Sequence, residues 1–175
     1  FLQKSRRSPQ EEAAAYVSEE KGVVDVQEAV SGAKDIIAEQ VCEDANIRAR
    51  IRGLFEREGV LVSRAKDKEA SSVYEQYYEF EETVRRIPGH RILAINRGEK
   101  EGVLAVSFDM PKEQILAALE RDLIRKEEPE TAAVLKGAVS DCYKRLLMPS
   151  IERELRAELT ERAEDGAISL FGKNL

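Results

Sequence analysis

The sequence predicts a mostly α-helical protein: a multi-helical, elongated array of long helices with one small two-stranded antiparallel β ribbon. Three observations point there. Of the 175 residues, 35% are charged and 42% hydrophobic, a mixture typical of long amphipathic helices. Over most of the chain, apolar residues recur every three or four positions, which is the period of one helix face. Two segments, "GVLVSRA" (59–65) and "GVLAVSF" (102–108), break that period; each is glycine-led, rich in β-branched residues and of strand length.

Taken in order, residues 1–9 read as a flexible leader, 10–110 as a helical subdomain carrying the ribbon, and 111–175 as a long-helix region. Asp25 and Glu28 have capping-box spacing, so the aspartate can accept from an otherwise unpaired amide of a helix's first turn. Behind them Val30, Ala33, Ile37 and Val41 form a stripe that breaks near Asp44, resumes at Ile47, Ile51 and Leu54, and stops at Gly59. Neither strand, at about 60–65 and 103–108, could stand alone, so they are expected to pair, with Leu61 and Leu104 toward the helices. Between them lies an aromatic cluster, "YEQYYEF" (74–80). Residues 90–101 read as a helix closed by Gly102 in a left-handed cap, with a hairpin as the alternative.

Pro111 suits the start of the next helix, which carries Ile115, Leu119 and Leu123. Pro129 ends it and opens another, where Leu135, Ala138, Val139, Cys142 and Leu146 make the cleanest stripe. Pro149 either kinks that helix or restarts it. Ile151, Leu155 and Leu159 continue the pattern, and Ala163, Ala167, Ile168 and Phe171 extend it to the end.

Composition narrows the function classes. A net charge of −6 gives no bulk attraction to polyanions, so contact with nucleic acid has to come from local basic patches. No apolar run approaches the ~18 residues of a membrane span, and no signal-peptide pattern opens the chain. The chain starts at Phe1 rather than methionine and reads as a piece of something longer. Its two cysteines, Cys42 and Cys142, lack metal-type spacing, which points to reduced thiols in the cytoplasm. There is no phosphate-binding P-loop, dinucleotide fingerprint or nucleophile elbow, so no cofactor and no enzymatic role are expected. With one histidine and two distant cysteines, no catalytic or metal residues are assigned. The single histidine, His90, suits capping or packing better than catalysis.

Two basic sets remain. Arg48 and Arg52 are four apart, on one helical face, with Arg50 and Arg57 nearby. Arg85, Arg86, Arg91, Arg97 and Lys100 form the second, next to the tyrosines. One reading has the arginines pairing with Glu75, Glu79, Glu81 and Glu82 while the aromatics pack. The other has them gripping phosphates of single-stranded nucleic acid while exposed aromatics stack on bases.

The blocks "GAKDIIAEQVCEDANIRARIR" (32–52), "YEQYYEFEETVRRIPGHRILAINRGEKEGVL" (74–104) and "RLLMPSIERELRAELTERAEDGAISLFGKNL" (145–175) resemble bacterial Tex proteins. These transcription accessory proteins are distantly similar to a eukaryotic elongation factor of the Spt class. Gly89 departs from the serine of the family's usual "PSHR", and Gly98 interrupts a helix that the family often continues. The resemblance implies the helical, helix-turn-helix-bearing region ahead of an RNase H-like YqgF domain, with helix-hairpin-helix elements and an OB-fold RNA-binding domain beyond it. It further implies RNA or DNA as partner, held mainly by those other domains, together with proteins of the transcription machinery. The expected function is therefore a non-catalytic scaffold of such a protein; the alternative is a module touching DNA or RNA directly through its arginine-rich faces.

Overall fold

A computed structural model describes residues 7–125 and 128–173, with side chains described through Ser169. It is mostly helical with a small antiparallel sheet, and it divides into two compact units, each built from two stretches of chain. One comprises residues 1–49 and 112–150, the other 50–111 and 151–175. The chain passes between them at Pro111/Lys112. It also passes within two helices, where composition gives no signal.

The first unit opens with α1 (Pro9–Ala13), which starts at the end of the expected leader. Ser8 accepts from the Glu11 amide and Glu11 reaches back to the Ser8 amide, so two unpaired donors are satisfied reciprocally. α2 (Val26–Glu43) is capped by Asp25, whose Oδ1 accepts from the Glu28 amide at 2.8 Å. Glu28 reaches one residue further back than expected and takes the Val24 amide at 2.8 Å. Asp44 ends α2 and starts α3 (Ala45–Glu58), its Oδ1 accepting from Asn46 and Ile47. The expected stripe of α2 is largely kept: Val41 is buried and Val30 and Ile37 are half-buried, while Ala33 is exposed and Ala38 is buried in addition. Ala38 and Val41 thus contribute to this unit's core.

α5 (Lys112–Leu123) buries Ile115 and Leu119, and α6 (Pro129–Cys142) buries Leu135, Ala138, Val139 and Cys142. Pro129 sits in the first turn of α6, where its missing amide hydrogen costs nothing. A wide π turn over Tyr143–Leu147 then leads into α7 (Met148–Lys173), with the Met148 amide bonding back to the Tyr143 carbonyl. Pro149 explains it. A proline cannot bond the carbonyl four residues back, and its ring collides with that carbonyl in a regular helix; a π turn relieves both. The extra residue also shifts the stripe, so Leu147 is fully buried where Leu146 was expected.

The second unit holds the sheet. β1 (Val60–Ala65) lies between β2 (Glu79–Thr83) and β3 (Leu104–Asp109), antiparallel to both, with Leu61 opposite Glu82 on one side and Phe108 on the other. The expected β1–β3 pair is there, and Leu61 and Leu104 are buried. The correction is a third strand. β2 is "EFEET", poor in β-formers apart from Phe80 and Thr83, and its carboxylates suit an edge by discouraging further pairing.

α4 (Gly89–Lys100) confirms the helical reading of 90–101. Gly102, at φ +78, receives the helix end: its amide bonds to Glu99 and the Val103 amide to Gly98, each at 2.9 Å. That is a Schellman cap. Phe55, Ile92, Ile95, Leu104, Ile151, Leu155 and Leu159 fill this unit's core, Phe55 lying against Phe108 with ring centroids 5.0 Å apart. Buried Phe55 takes the place expected for Leu54, which is half-buried. α7 stays buried as far as Ala163, but Ile168 is 69% exposed; the Phe171 side chain lies outside the described residues.

Candidate nucleic-acid interface

The seven cationic residues singled out from sequence fall into two sets. Arg48, on α3, is half-buried; its Nη1 donates to the Cys42 carbonyl at 3.1 Å and its Nη2 to Ser150 Oγ at 3.0 Å. The end of α2, the start of α3 and the start of α7 are thereby tied within the first unit. One turn on, Arg52 reaches Glu154 at 3.6 Å and Glu158 still more closely, joining α3 to α7 in the second unit. Arg91, on α4, donates to Glu82 Oε2 at 2.7 Å and lies 5.7 Å from the centroid of the Phe80 ring, adding a cation–π contact. All three make contacts within the fold.

The other four face solvent. Arg85, Arg86, Arg97 and Lys100 are exposed, and none has an ion pair among the described residues. Arg97 lies near Tyr74, whose phenol is raised above its ordinary value by burial and then by the Glu101 carboxylate, with Arg97 pulling the other way. The aromatic cluster is largely packed: Tyr74 and Tyr77 are buried, and Tyr77 meets Phe80 edge to face at 5.4 Å. The exposed stacking platform of the second sequence reading is therefore missing among these rings. His90 corrects its expected role as well. It is exposed and caps nothing, since Pro88 occupies the cap position of α4 without a side-chain bond.

Arg85 also belongs to a cleft that sequence reasoning did not assemble. Val84, Leu155 and Leu159 give it an apolar floor, and its volume is about 410 Å³. Three guanidinium-bearing side chains line it: Arg57 from the last turn of α3, Arg85 from the turn after β2, and Arg162 from α7. Arg162 Nη2 donates to the Val84 carbonyl at 3.4 Å. Glu56 and Glu158 are the acidic lining, and Glu158 is engaged by Arg52. Arg162 gave no sequence signal, because a lone arginine in a charge-rich helix reads like any solvated face.

Comparison with known proteins identifies the family. The family model described as "Tex central region-like" matches residues 4–171. Among curated relatives, the uncharacterized protein YdcI of Bacillus subtilis is 43% identical over 91% of this chain and 23% of its own length. S1 RNA-binding domain-containing protein 1 of Pongo abelii is 31% identical over 89% of this chain and 17% of its own. Transcriptional accessory protein Tex of Neisseria gonorrhoeae is 30% identical over 94% of this chain and 23% of its own. The chain thus spans less than a quarter of these relatives. Matched over nearly its whole length, the chain belongs to the Tex central region-like family.

Proposed function

We propose that this chain is the helix-turn-helix-bearing, non-catalytic scaffold of a Tex-like transcription accessory protein that binds nucleic acid and works in the cytoplasm. The observation that carries the reading is the use made of Arg48, Arg52 and Arg91. Each is engaged in contacts that tie elements of its own unit together, and a cation so engaged is poorly placed to exchange partners with a phosphate. Cys142 is fully buried, and among the described residues no group of three or more His, Cys, Asp and Glu could hold a metal. No described helix is long and apolar enough to cross a membrane. The names of relatives add the transcription and RNA themes; RNA or DNA is then held mainly by parts of such a protein outside this chain, and transcription-machinery proteins are the other partners.

Oligonucleotide affinity of this chain, compared with that of a full-length Tex relative at two salt concentrations, tests the reading. A scaffold binds far more weakly than the full-length protein, and equal affinity would refute it. Direct contact through arginine-rich faces stands as the second reading, favoured by the four exposed cations Arg85, Arg86, Arg97 and Lys100.

A further inference from the structure

We infer that the Arg57–Arg85–Arg162 cleft is a binding site for the phosphate group of a nucleotide unit. The inference stands apart from the scaffold reading, which is decided by how the whole chain binds and by what Arg48, Arg52 and Arg91 hold together.

The argument begins with charge. The cleft lining carries three guanidiniums against two carboxylates, and Arg52 already engages one of these, Glu158. A positive excess therefore remains in one concave place. Neither Arg57 nor Arg85 has an ion pair among the described residues. Like charges gathered in a cleft repel one another and focus the local field, so the arrangement favours a counter-anion.

Geometry selects the kind of anion. Each guanidinium presents five N–H donors in a planar fork that matches phosphate oxygens two at a time, and the single bond from Arg162 to the Val84 carbonyl leaves most of its donors available. The three side chains come from two helices and the turn after a strand and line one cleft, which suits the several oxygens of a phosphate. A carboxylate, with its two oxygens in one plane, would use fewer of them. The floor of Val84, Leu155 and Leu159 keeps water from one side, which strengthens the pairing. It also gives an apolar surface for the sugar of a nucleotide, for which about 410 Å³ is sufficient room.

The probes are a fluorescent short oligothymidylate, adenosine monophosphate and poly-glutamate, added to the whole chain and followed by anisotropy and by the arginine Nε–H signals in NMR. The oligothymidylate and the mononucleotide should both move the signals of Arg57, Arg85 and Arg162. If the strand binds much more tightly than the mononucleotide, the natural source is a nucleic-acid backbone; equal affinity per molecule points to a free nucleotide. Poly-glutamate should not compete. A charge-assisted hydrogen bond to phosphate is worth enough that Arg85→Gln with Arg162→Gln should weaken binding by at least about tenfold. The same pair should flatten the salt slope by about 0.7, the value for one phosphate no longer neutralised. Lys66→Gln, an exposed cation that does not line the cleft, removes one charge as a control and should leave the affinity within about twofold. Unchanged binding in the Arg85/Arg162 double variant, or full competition by poly-glutamate, would overturn the assignment.

Discussion

Gly98→Ala sets two known effects of similar size against each other. In the interior of a helix alanine is favoured over glycine by about 1 kcal/mol, and Gly98 lies inside α4. On propensity alone the change stabilises. A Cβ at this position, however, would meet Leu104 Cδ1 at 2.6 Å, Leu104 Cγ at 3.0 Å and Tyr74 Cδ1 at 3.1 Å. Ordinary carbon contacts lie near 3.5–4.0 Å, so the overlap approaches 1 Å. Leu104 is fully buried and has no solvent to swing into, and the short distance to Cγ means that turning its tip does not clear the clash. Overpacking of this kind costs about 1–3 kcal/mol, so the net expectation is a loss of about 1 kcal/mol. Urea unfolding of four proteins measures it: the parent, Gly98→Ala, Leu104→Ala and the double variant. Leu104→Ala alone should cost about 2–5 kcal/mol. On that background Gly98→Ala should change sign and stabilise by up to about 1 kcal/mol, a coupling of the size expected for touching residues. Stabilisation of the parent by Gly98→Ala, or the same effect on both backgrounds, would refute the argument.

Two further predictions concern buried groups. Ser63 is fully buried in the central strand and its hydroxyl has no partner among the described residues; Ser63→Ala should therefore raise stability by about 1 kcal/mol, read from the urea midpoint. Burial first, then charge on Cys42 and Asp141, pushes the Cys142 thiol up to about 12 from an ordinary value of 9.0. Above that ordinary value the unfolded chain loses a proton that the folded one keeps, so this contribution is full below about pH 9 and is lost as pH rises toward 12. Cys142→Ala should flatten the fall in stability above pH 9, and iodoacetamide should label native Cys42, which is half-buried, well before Cys142.

Helices whose signals are local are legible in the sequence. The Asp25 cap, the break at Asp44, Pro129 at the start of α6 and the Gly102 cap each rest on residues within a few positions of one another. The Ser8–Glu11 capping box is equally local but merges with the leader, because only five helical residues follow it. What sequence does not show depends on partners far away along the chain. β2 exists because β1 offers a free edge, not because "EFEET" favours a strand. The exposure of Ala33 and the shift from Leu146 to Leu147 come from tertiary packing and from the accommodation of Pro149.

The same distinction governs the candidate site. Residue type marks Arg48, Arg52, Arg85 and Arg91 alike, since each is a cation near other cations. Nothing local shows that Arg48 meets Ser150 or that Arg52 meets Glu158, contacts that span about a hundred residues. For the same reason the cleft, which joins Arg57 and Arg85 to Arg162, could not be assembled from spacing.

The central claim is that Arg48, Arg52 and Arg91 hold the fold instead of serving a ligand. The most direct test replaces all three by glutamine and measures the urea midpoint together with the salt dependence of oligonucleotide binding. The account predicts a clearly lower midpoint, and a salt slope equal to the parent's under conditions where the variant remains folded. An unchanged midpoint, with a slope flattened by about 0.7 for each phosphate that the variant no longer neutralises, would contradict it.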